Sequence, residues 1–465
     1  MTNALYLPDW TVLKVDEAEG RVVQAKYDVA PEACAKCGVV GQLYRHGVKA
    51  IRYRDAPALG KQLVVDVQRT RYRCRACGST FMQDLPDMDD DRRMTARCRD
   101  YIAAQALLKP NTHVAEDIGI DEKVVRQIAK ENAVRLFAKH AAEMRAPRVL
   151  GMDELFLSDQ MRAIFVNVET SWPIELLPTR WAGPVTNFLM NLPGREKVEI
   201  VTMDMWKPYK VAVQHAMPKA VIIIDKWHVM RMANDVMEIA RRRSQGLLTA
   251  TDRRALKARR ASFLKRPFQL SAQEQLDLDG WLKNTPGLQG AYETKEAFMD
   301  IWRHRSREAA KLALDQWRAS IPTDLGRLFR PVVTALKNWE PEVLNYFNHG
   351  RHTNAPTEAR NRVIKMTNRL GAGYSFDAIR ARALFGKRPG RVKAEKAAEA
   401  ARANMLQCWS CKAFFPADAA DTSHIVPAKG GKKSPKNLLL LCPDCNRFHT
   451  DRWFNHDAAS TSKSE

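Results

Sequence analysis

Acidic residues lie within or directly after apolar stretches in the middle of this sequence. Asp153 sits inside the apolar segment Arg148–Leu157, and Asp204 and Asp225 each end a further apolar run. A carboxylate in a core strand is costly unless it is paired or binds a metal ion. A single such aspartate would be read as a strand cap or a partner for an arginine. Three in succession favour a metal site at the ends of strands in an α/β sheet.

Eight of the nine cysteines form four Cys-x-x-Cys pairs, two toward each end of the chain. Paired thiolates at this spacing suit tetrahedral zinc. We therefore expect about two structural Zn²⁺ ions, and a reducing cytoplasm argues against disulfides. The remaining cysteine, Cys98, is most simply a core residue. The pairs are Cys34/Cys37, Cys74/Cys77, Cys408/Cys411 and Cys442/Cys445.

The charge balance indicates a polyanionic partner. The 465 residues include 75 Lys and Arg against 53 Asp and Glu, a net charge of +22. Such an excess favours binding to DNA or RNA, and the length predicts about three or four domains. No apolar run approaches membrane-spanning length, and the first residues lack a secretory apolar region. We expect a cytoplasmic protein that does not associate with membranes.

The N-terminal segment, residues 1–84, is predicted to be a small zinc-binding module. Between its cysteine pairs, an alternating strand carries Arg69, Arg71 and Arg73. We expect the metal to hold this basic ribbon against DNA, with protein–protein contact as the alternative. An acidic stretch, residues 84–91, is interpreted as a linker.

Residues 92–146 are predicted to form a helix-turn-helix DNA-binding domain. Gly119 marks the turn, and Asp121 can cap the second helix. The residues expected to face inward are Val124, Val125 and Ile128. The same helical hairpin also occurs without DNA binding, but the basic charge favours a DNA reader.

Residues 147–229 are predicted to be the first part of an α/β core. Their pattern reads strand, strand, strand, helix, strand, helix, strand, the order of ribonuclease H-like folds. In such sheets the first acid lies on the central strand and the second ends the strand after the first helix, which favours Asp204 over Asp225. Residues 230–346 are predicted to be an all-α insertion with a basic surface, its tryptophans forming a core.

Residues 347–385 are predicted to return to the core as its final helices. Asn354 suits an N-cap, and Glu358 falls in the first helical turn beside an apolar stripe. This position would place Glu358 over the sheet. Residues 386–404 form a basic linker, and residues 405–465 contain the second cysteine module.

Several strings of this sequence resemble the ISL-three family of bacterial insertion-sequence transposases. They are Tyr72–Phe81 with the paired cysteines, Gly151–Glu154, Met203–Trp206 with Tyr209, Asp225–His228 and Thr353–Glu358. The match runs in the expected order from Cys34 to Phe385. It implies a multidomain α/β protein with a ribonuclease H-like core and a DDE-type transposase activity on double-stranded DNA.

The resemblance implies a catalytic triad of Asp153, Asp204 and Glu358 that binds Mg²⁺ or Mn²⁺. Two such ions about 4 Å apart would serve in-line phosphoryl transfer, and Mg²⁺ prefers carboxylate oxygen. Asp225 and His228 look like the accessory (Cys/Asp)-x-x-His motif of Mutator-like relatives. Asp225 remains an alternative second acid, and a satisfied core histidine is an equal reading of His228.

The C-terminal segment resembles an HNH nuclease module. The resemblance gives His424 the role of polarising water, Asn437 that of bracing it, and Asn446 or His449 that of binding a catalytic metal ion. The sequence departs from that pattern at Ser423, where an Asp or His ligand is common. A DNA-binding zinc domain without nuclease activity is the alternative for this module.

Three functions remain open on sequence grounds. The leading one is a transposase that acts on transposon ends and target DNA, as a homodimer associated with the bacterial nucleoid. A domesticated, non-catalytic DNA-binding regulator is the second, and the intact acids count against it. The third is a nuclease whose main activity lies in the HNH-like module.

Overall fold

The computed structural model describes residues 7–16, 21–371 and 373–386, together with the backbone of four short strands beyond them. The chain divides into two compact units, Met1–Met144 with Val363–Arg388, and Arg145–Arg362 with Pro389–Glu465. Among the described helices, none has both the length and the apolar character that a membrane span requires. The chain is a mixed α/β protein of several sheets and helices.

The first unit opens with a seven-stranded sheet in the order β1-β2-β4-β3-β7-β6, in which β5 also pairs with β4. The long hairpin of β3 and β4 turns at Leu59 and Gly60, which both have positive φ. The hydrophobic core of this sheet includes Trp10, Tyr53 and Val65. The strands are β1 (Trp10–Asp16), β2 (Arg21–Tyr27), β3 (Leu43–Ala58), β4 (Lys61–Cys74), β5 (Thr80–Met82), β6 (Met88–Asp89) and β7 (Met94–Thr95).

Strand β4 changes its buried face partway along. Val67 and Arg69 are buried, but beyond Thr70 the buried positions are Tyr72 and Cys74. Arg69 donates hydrogen bonds to the Gln83 carbonyl at 2.6 Å and to Asp90 at 2.7 Å. The expectation that Arg69 belongs to an exposed basic ribbon is therefore wrong, whereas Arg71 and Arg73 are exposed.

The acidic segment 84–91 is part of the sheet and not a free linker. It contains β6, and the carboxylates of Asp87, Asp89 and Asp90 are paired with groups of the first unit. Trp10 donates to Asp87 at 3.0 Å, and Arg92 contacts Asp89 at 3.1 Å. Paired carboxylates let this acidic stretch pack against the sheet.

Three helices follow, α1 (Ala96–Gln105), α2 (Asn111–Ile118) and α3 (Glu122–Glu143). As predicted, Gly119 ends α2 with a left-handed φ of 75°, and the Asp121 carboxylate caps α3 by accepting the Lys123 amide at 2.7 Å. Val125 and Ile128 are buried in the shared core, and Val124 packs against it half-buried. The turn at Gly119 and the cap at Asp121 thus follow the sequence pattern.

The second unit is built on a five-stranded sheet in the order β10-β9-β8-β11-β12. Strand β9 is antiparallel to both neighbours, whereas β11 pairs in parallel with β8 and β12. The carboxyl ends of β10, β8, β11 and β12 therefore lie at one edge. The strands are β8 (Val149–Leu157), β9 (Gln160–Asn167), β10 (Trp172–Leu177), β11 (Ile200–Met203) and β12 (Val221–Ile224).

Helices α4 (Ala182–Asn191) and α5 (Lys207–Ala216) connect these strands. Between residues 226 and 385 the described elements are all helical, including those within the predicted insertion at 230–346. Trp302, Trp317 and Trp339 are buried, as expected for a core, and Trp281 is half-buried. The helices are α6 (Lys226–Ser244), α7 (Ala250–Ala258), α8 (Arg260–Leu264), α9 (Ala272–Lys283), α10 (Pro286–Asp300), α11 (Arg307–Ser320) and α12 (Gly326–Asn348).

Two further helices, α13 (Ala355–Leu370) and α14 (Phe376–Phe385), end the continuous described chain. Beyond them, β13 (Met405–Gln407) pairs with β14 (Phe414–Pro416), and β15 (Asp421–His424) pairs with β16 (Leu438–Leu441), both antiparallel. His424 is thus the last residue of a strand. The other predicted residues of this module, namely Cys408, Cys411, Cys442, Cys445, Asn437, Asn446 and His449, lie outside the described residues.

Candidate active site

The sheet of the second unit brings three predicted acids to one edge. Asp153 lies within the central strand β8, and Asp204 and Asp225 follow directly after β11 and β12. Because these three strands are parallel, the residues after β11 and β12 lie on the same side of the sheet. Asp153 and Asp225 are buried, at 8% and 2% exposure, whereas Asp204 is partly exposed.

Asn354 fastens the start of helix α13 to two strands of this sheet. Its Nδ2 donates to the Met152 carbonyl at 3.0 Å, and its Oδ1 accepts from the Thr202 hydroxyl at 3.1 Å. The Asn354 carbonyl accepts the amides of Thr357 and Glu358. The residue does precede the helix, as predicted, but its side chain binds β8 and β11 and not the helix amides. It is completely buried.

Gly151 lets α13 come close to β8. A Cβ at this position would lie 2.3 Å from the Thr357 Oγ1 and 3.0 Å from the Val168 Cγ2. Thr357 is completely buried, so its hydroxyl cannot move into solvent. A glycine inside a strand often marks such a close approach, and this signal was available in the sequence.

Asn361 is a site residue that the sequence reasoning missed. Its Nδ2 donates to the Asp153 Oδ2 at 2.6 Å, and the residue is 7% exposed. Asn361 follows Glu358 by three residues, so both lie on the same face of α13. This spacing was the signal that could have found it.

His228 contacts two of the predicted acids. Its Nε2 lies 3.0 Å from the Asp204 Oδ1 and 3.5 Å from the Glu358 Oε1. Asp225, His228 and Glu358 each offer a ligand atom within 4.8 Å of the others. Among the described residues, these three form the group with carboxylates whose ligand atoms lie close enough together to share a metal ion. Asp153 and Asp204 do not belong to this group.

The electrostatics of the site reflect crowded, buried acids. Burial and the nearby charge of Asp204 raise the pKa of Asp153 to about 7, and burial also raises the pKa of Asp225. Burial would lower the pKa of His228, but the contact with Asp204 and the surrounding carboxylates outweigh it, so this pKa is raised. The site thus has more negative charge than its own cations balance.

A cavity of about 360 Å³ opens beside these acids. Arg180 does not line the cavity but contacts two residues that do: it pairs with Glu154 at 2.5 Å, and its guanidinium carbon lies 5.0 Å from the centre of the Trp206 ring. The lining residues are Met152, Asp153, Glu154, Asp204, Met205, Trp206, Tyr209, His228, Arg231, Met232 and Asp235. Glu358 and Asp225 do not line this cavity.

The cavity meets the requirements of a hard cation. Its donors are mainly carboxylate oxygens, the ligands that Mg²⁺ and Mn²⁺ prefer. The Glu154 Oε1 and the Tyr209 hydroxyl are buried and have no hydrogen-bond partner among the described residues. A divalent ion would also relieve the repulsion that raises the pKa of Asp153.

The predicted N-terminal zinc ligands form a cluster in the first unit. Cys34, Cys37, Cys74 and Cys77 all offer sulfur atoms within 4.8 Å of one another. The Cys34 and Cys77 Sγ atoms are 3.7 Å apart, and those of Cys37 and Cys74 are 3.8 Å apart. Tetrahedral zinc with Zn–S bonds of about 2.3 Å requires S–S separations of about 3.8 Å. The four thiols therefore fit a zinc ion.

Comparison with known families agrees with these features. The chain belongs to the ISL-three family of transposases, because that family's model, described as "Transposase", matches residues 150–383, half of the chain. A second model, "zinc-finger of transposase IS204/IS1001/IS1096/IS1165", matches residues 30–77. A third, "HNH endonuclease", matches residues 408–452. The chain thus combines an N-terminal zinc ribbon, a transposase core and a C-terminal HNH domain.

Two relatives extend over most of the chain. The "Transposase for insertion sequence element IS1001" of Bordetella parapertussis is 25% identical over 381 residues, covering 77% of this chain and 89% of the relative. The "Transposase for insertion sequence element IS1557" of Mycobacterium tuberculosis (strain CDC 1551 / Oshkosh) is 22% identical over 399 residues, covering 77% and 86%. Together with the family match, they identify a DNA transposase, an enzyme that acts on DNA.

Proposed function

We propose that this transposase cuts and joins DNA at the ends of an insertion sequence through Asp153, Asp204 and Glu358. The observation that carries the proposal is the pair of contacts made by His228, which joins Asp204 to Glu358. One turn after Glu358, Asn361 bonds Asp153. The face of α13 therefore gathers acids that are far apart in the sequence.

Its position in the cavity and its greater solvent exposure favour Asp204 over Asp225 as the second acid. Asp204 lines the same cavity as Asp153, and its charge contributes to the raised pKa of Asp153. Asp225 is 2% exposed and its carboxylate caps α6 by accepting the Trp227 amide at 3.2 Å. We assign Asp225 and His228 accessory roles, in which Asp225 begins α6 and His228 orients Asp204 and Glu358.

The strand order supports a ribonuclease H-like core interrupted by an all-α insertion. Three antiparallel strands, β10, β9 and β8, continue into two parallel ones, β11 and β12, with β8 in the centre. The first acid then lies on the central strand and the second follows the strand after α4. This is the arrangement expected for that fold.

Mg²⁺ or Mn²⁺ is the proposed cofactor, held by Asp153, Asp204 and Glu358. When bound, it would supply Lewis-acid stabilisation of the phosphate being attacked and of the leaving oxygen. The protein's own part is to hold the carboxylates in place. Asn361 fixes Asp153, Asn354 fixes the beginning of the helix that carries Glu358, and Arg180 holds Glu154 at the cavity wall.

The first unit is proposed to bind the element ends as double-stranded DNA. Arg71 and Arg73 are exposed beside the zinc-fitting thiols, and the α2–α3 hairpin has the form of a helix-turn-helix. Phosphate contacts by such arginines would give salt-dependent affinity. We further propose that the protein acts as a homodimer, since each element has two ends.

Cleavage of a duplex carrying the element's terminal repeat, in buffer with added Mg²⁺, tests the proposed acids. Asp153→Asn, Asp204→Asn and Glu358→Gln should each reduce cleavage and strand transfer by at least about 1,000-fold, because each removes a charged ligand. DNA binding should remain nearly unchanged. Asp324→Asn is the control, since Asp324 is exposed and does not line the cavity. Full activity of Asp204→Asn with loss in Asp225→Asn would reverse our choice of the second acid.

A second candidate activity is nuclease action by the HNH domain, favoured by the family match at residues 408–452. The same substrate separates the two sites. Nicking that survives Glu358→Gln but disappears in His424→Ala would assign cleavage to the HNH domain. DNA binding without any cleavage by the unmodified protein would favour the regulator.

A further inference from the structure

Three tryptophans are exposed at the edge of the second unit's sheet that carries the acids. Trp181, Trp206 and Trp227 are 70%, 38% and 49% exposed. They lie at the beginnings of α4, α5 and α6, which follow the strands β10, β11 and β12. The other tryptophans of the described chain are buried or half-buried: Trp10, Trp172, Trp281, Trp302, Trp317 and Trp339. Exposed tryptophans gathered at one edge indicate a binding surface.

Two of these rings are held beside the acids by arginines. The Arg180 guanidinium carbon lies 5.0 Å from the centre of the Trp206 ring and is itself anchored by Glu154. The Arg231 guanidinium carbon lies 5.5 Å from the centre of the Trp227 ring. Such cation–π contacts fix one side of a ring and leave the remaining exposed surface for a ligand.

The same residues border the candidate active site. Trp206 and Arg231 line the cavity together with Asp153 and Asp204. Trp227 packs edge-on against His228, with ring centres 5.0 Å apart. Trp206 follows Asp204 by two residues, and Trp227 follows Asp225 by two. Each strand end therefore presents an acid and then an aromatic ring.

We propose that Trp206 and Trp227 stack on unpaired bases of the DNA strand that is cut at Asp153 and Asp204. The proposal rests on the function proposed above and extends it to the form of the substrate. In duplex DNA the bases already stack on one another, so a tryptophan can stack only on a base that has left the helix. Aromatic rings bind bases of any sequence, and adjacent arginines neutralise the phosphates. The chain's net charge of +22 suits the same ligand.

The arrangement has a consequence for the order of events. DNA must be opened at the cleavage site before its phosphate reaches the acids, so base opening becomes part of the cost of cleavage. DNA that is already unpaired there should be cut faster. It should also depend less on Trp206.

The test uses the full chain and two duplexes with the element's terminal repeat, one fully paired and one mismatched over the nucleotides that flank the cut. Both carry 2-aminopurine at the flanking positions, and its fluorescence reports base unstacking in complexes without added Mg²⁺. Trp206→Ala should cut the paired duplex about ten-fold or more slowly, and the mismatched duplex should restore most of the rate. Trp206→Phe should retain most activity. The matched control is Phe268→Ala, since Phe268 is 80% exposed and does not line the cavity.

Three results would overturn the proposal. The first is an equal rate for Trp206→Ala and Phe268→Ala on the paired duplex. The second is a loss that the mismatched duplex does not restore, with 2-aminopurine fluorescence unchanged when the unmodified protein binds. The third is that Trp206→Ala changes the sedimentation of the protein, and hence its oligomeric state, while the 2-aminopurine fluorescence stays the same. The ring would then contact another protein chain and not a base. The 2-aminopurine fluorescence depends on DNA binding and not on cleavage. If the unmodified protein failed to cleave, that result would count against the proposed function, but the fluorescence would still test base stacking.

Discussion

At the scale of single residues, Asp153 combines deep burial with a neighbouring negative charge. Its pKa is raised from 3.8 to about 7 by burial and by Asp204. Folding therefore favours the neutral acid. Without a bound cation, the Asp153 carboxyl group does not lower the free energy of unfolding below pH 3.8, where it is neutral in both states. The loss of stability grows between pH 3.8 and about 7, where only the unfolded chain is ionised, and reaches its full size above that range.

Replacing Asp153 with Asn should therefore stabilise the protein when no divalent metal is added. We expect Asp153→Asn to raise the melting temperature at pH 8, where removing the charge is worth on the order of a few kcal/mol. At pH 5 the gain should be much smaller. Melting curves at both pH values measure the difference, with Asp324→Asn, at an exposed position outside the cavity, as control. An equal gain at both pH values would show that charge is not the cause.

Residue contacts were the least predictable part of the site. The acids could be found because a carboxylate next to apolar runs is unusual. Asn361 could not be assigned to Asp153 without knowing how α13 lies on β8. Arg69 was misjudged because β4 changes its buried face near Thr70. Close to this point, the pairing of β3 with β4 shifts in register between Arg45 and Gly47. Alternation read along one strand does not reveal such a change.

At the scale of elements, the close packing of α13 on β8 depends on Gly151. Gly151→Ala would place a Cβ 2.3 Å from the Thr357 Oγ1, so the helix must shift. We expect a loss of about 1–3 kcal/mol in the free energy of unfolding, and lower cleavage activity because Glu358 and Asn361 move with the helix.

Thermal unfolding and cleavage assays measure both effects, and a second substitution tests the cause. The double variant Gly151→Ala/Thr357→Ala should recover part of the stability, because it removes the hydroxyl that the new Cβ meets. The control is Gly280→Ala, since a Cβ there meets nothing within 4 Å. If the double variant were no more stable than Gly151→Ala, the Thr357 contact would not be the source of the strain.

The elements of the core were largely predictable from the sequence. The order of strands and helices predicted for residues 147–229 corresponds to the observed order β8, β9, β10, α4, β11, α5 and β12. Short apolar runs ending in polar residues mark strands clearly. The acidic segment 84–91 was misread as a linker because its carboxylates pair with distant residues such as Trp10. Composition alone does not show such partners.

At the scale of the whole molecule, metal content distinguishes the two cysteine modules. The full chain should contain about two zinc ions, one of them held by the thiols that lie at 3.7–3.8 Å from each other in the first unit. Cys74→Ser should lower the content by about one ion per chain and weaken binding to element-end DNA. Elemental analysis of the purified protein measures this. Cys98→Ala, which changes a buried cysteine outside the cluster, should leave the zinc content unchanged.

The separation of the acids along the chain affects how the enzyme is made. The four thiols of the zinc-fitting cluster have all been synthesised by residue 77, whereas Glu358 comes 154 residues after Asp204. During translation, the sheet that carries Asp153 and Asp204 can form while the helix that completes the site is still unmade. A ribosome that stalls within the helical insertion therefore releases a chain without Asn354 and Glu358. Such a fragment could still hold zinc but would lack one of the three acids proposed for cleavage.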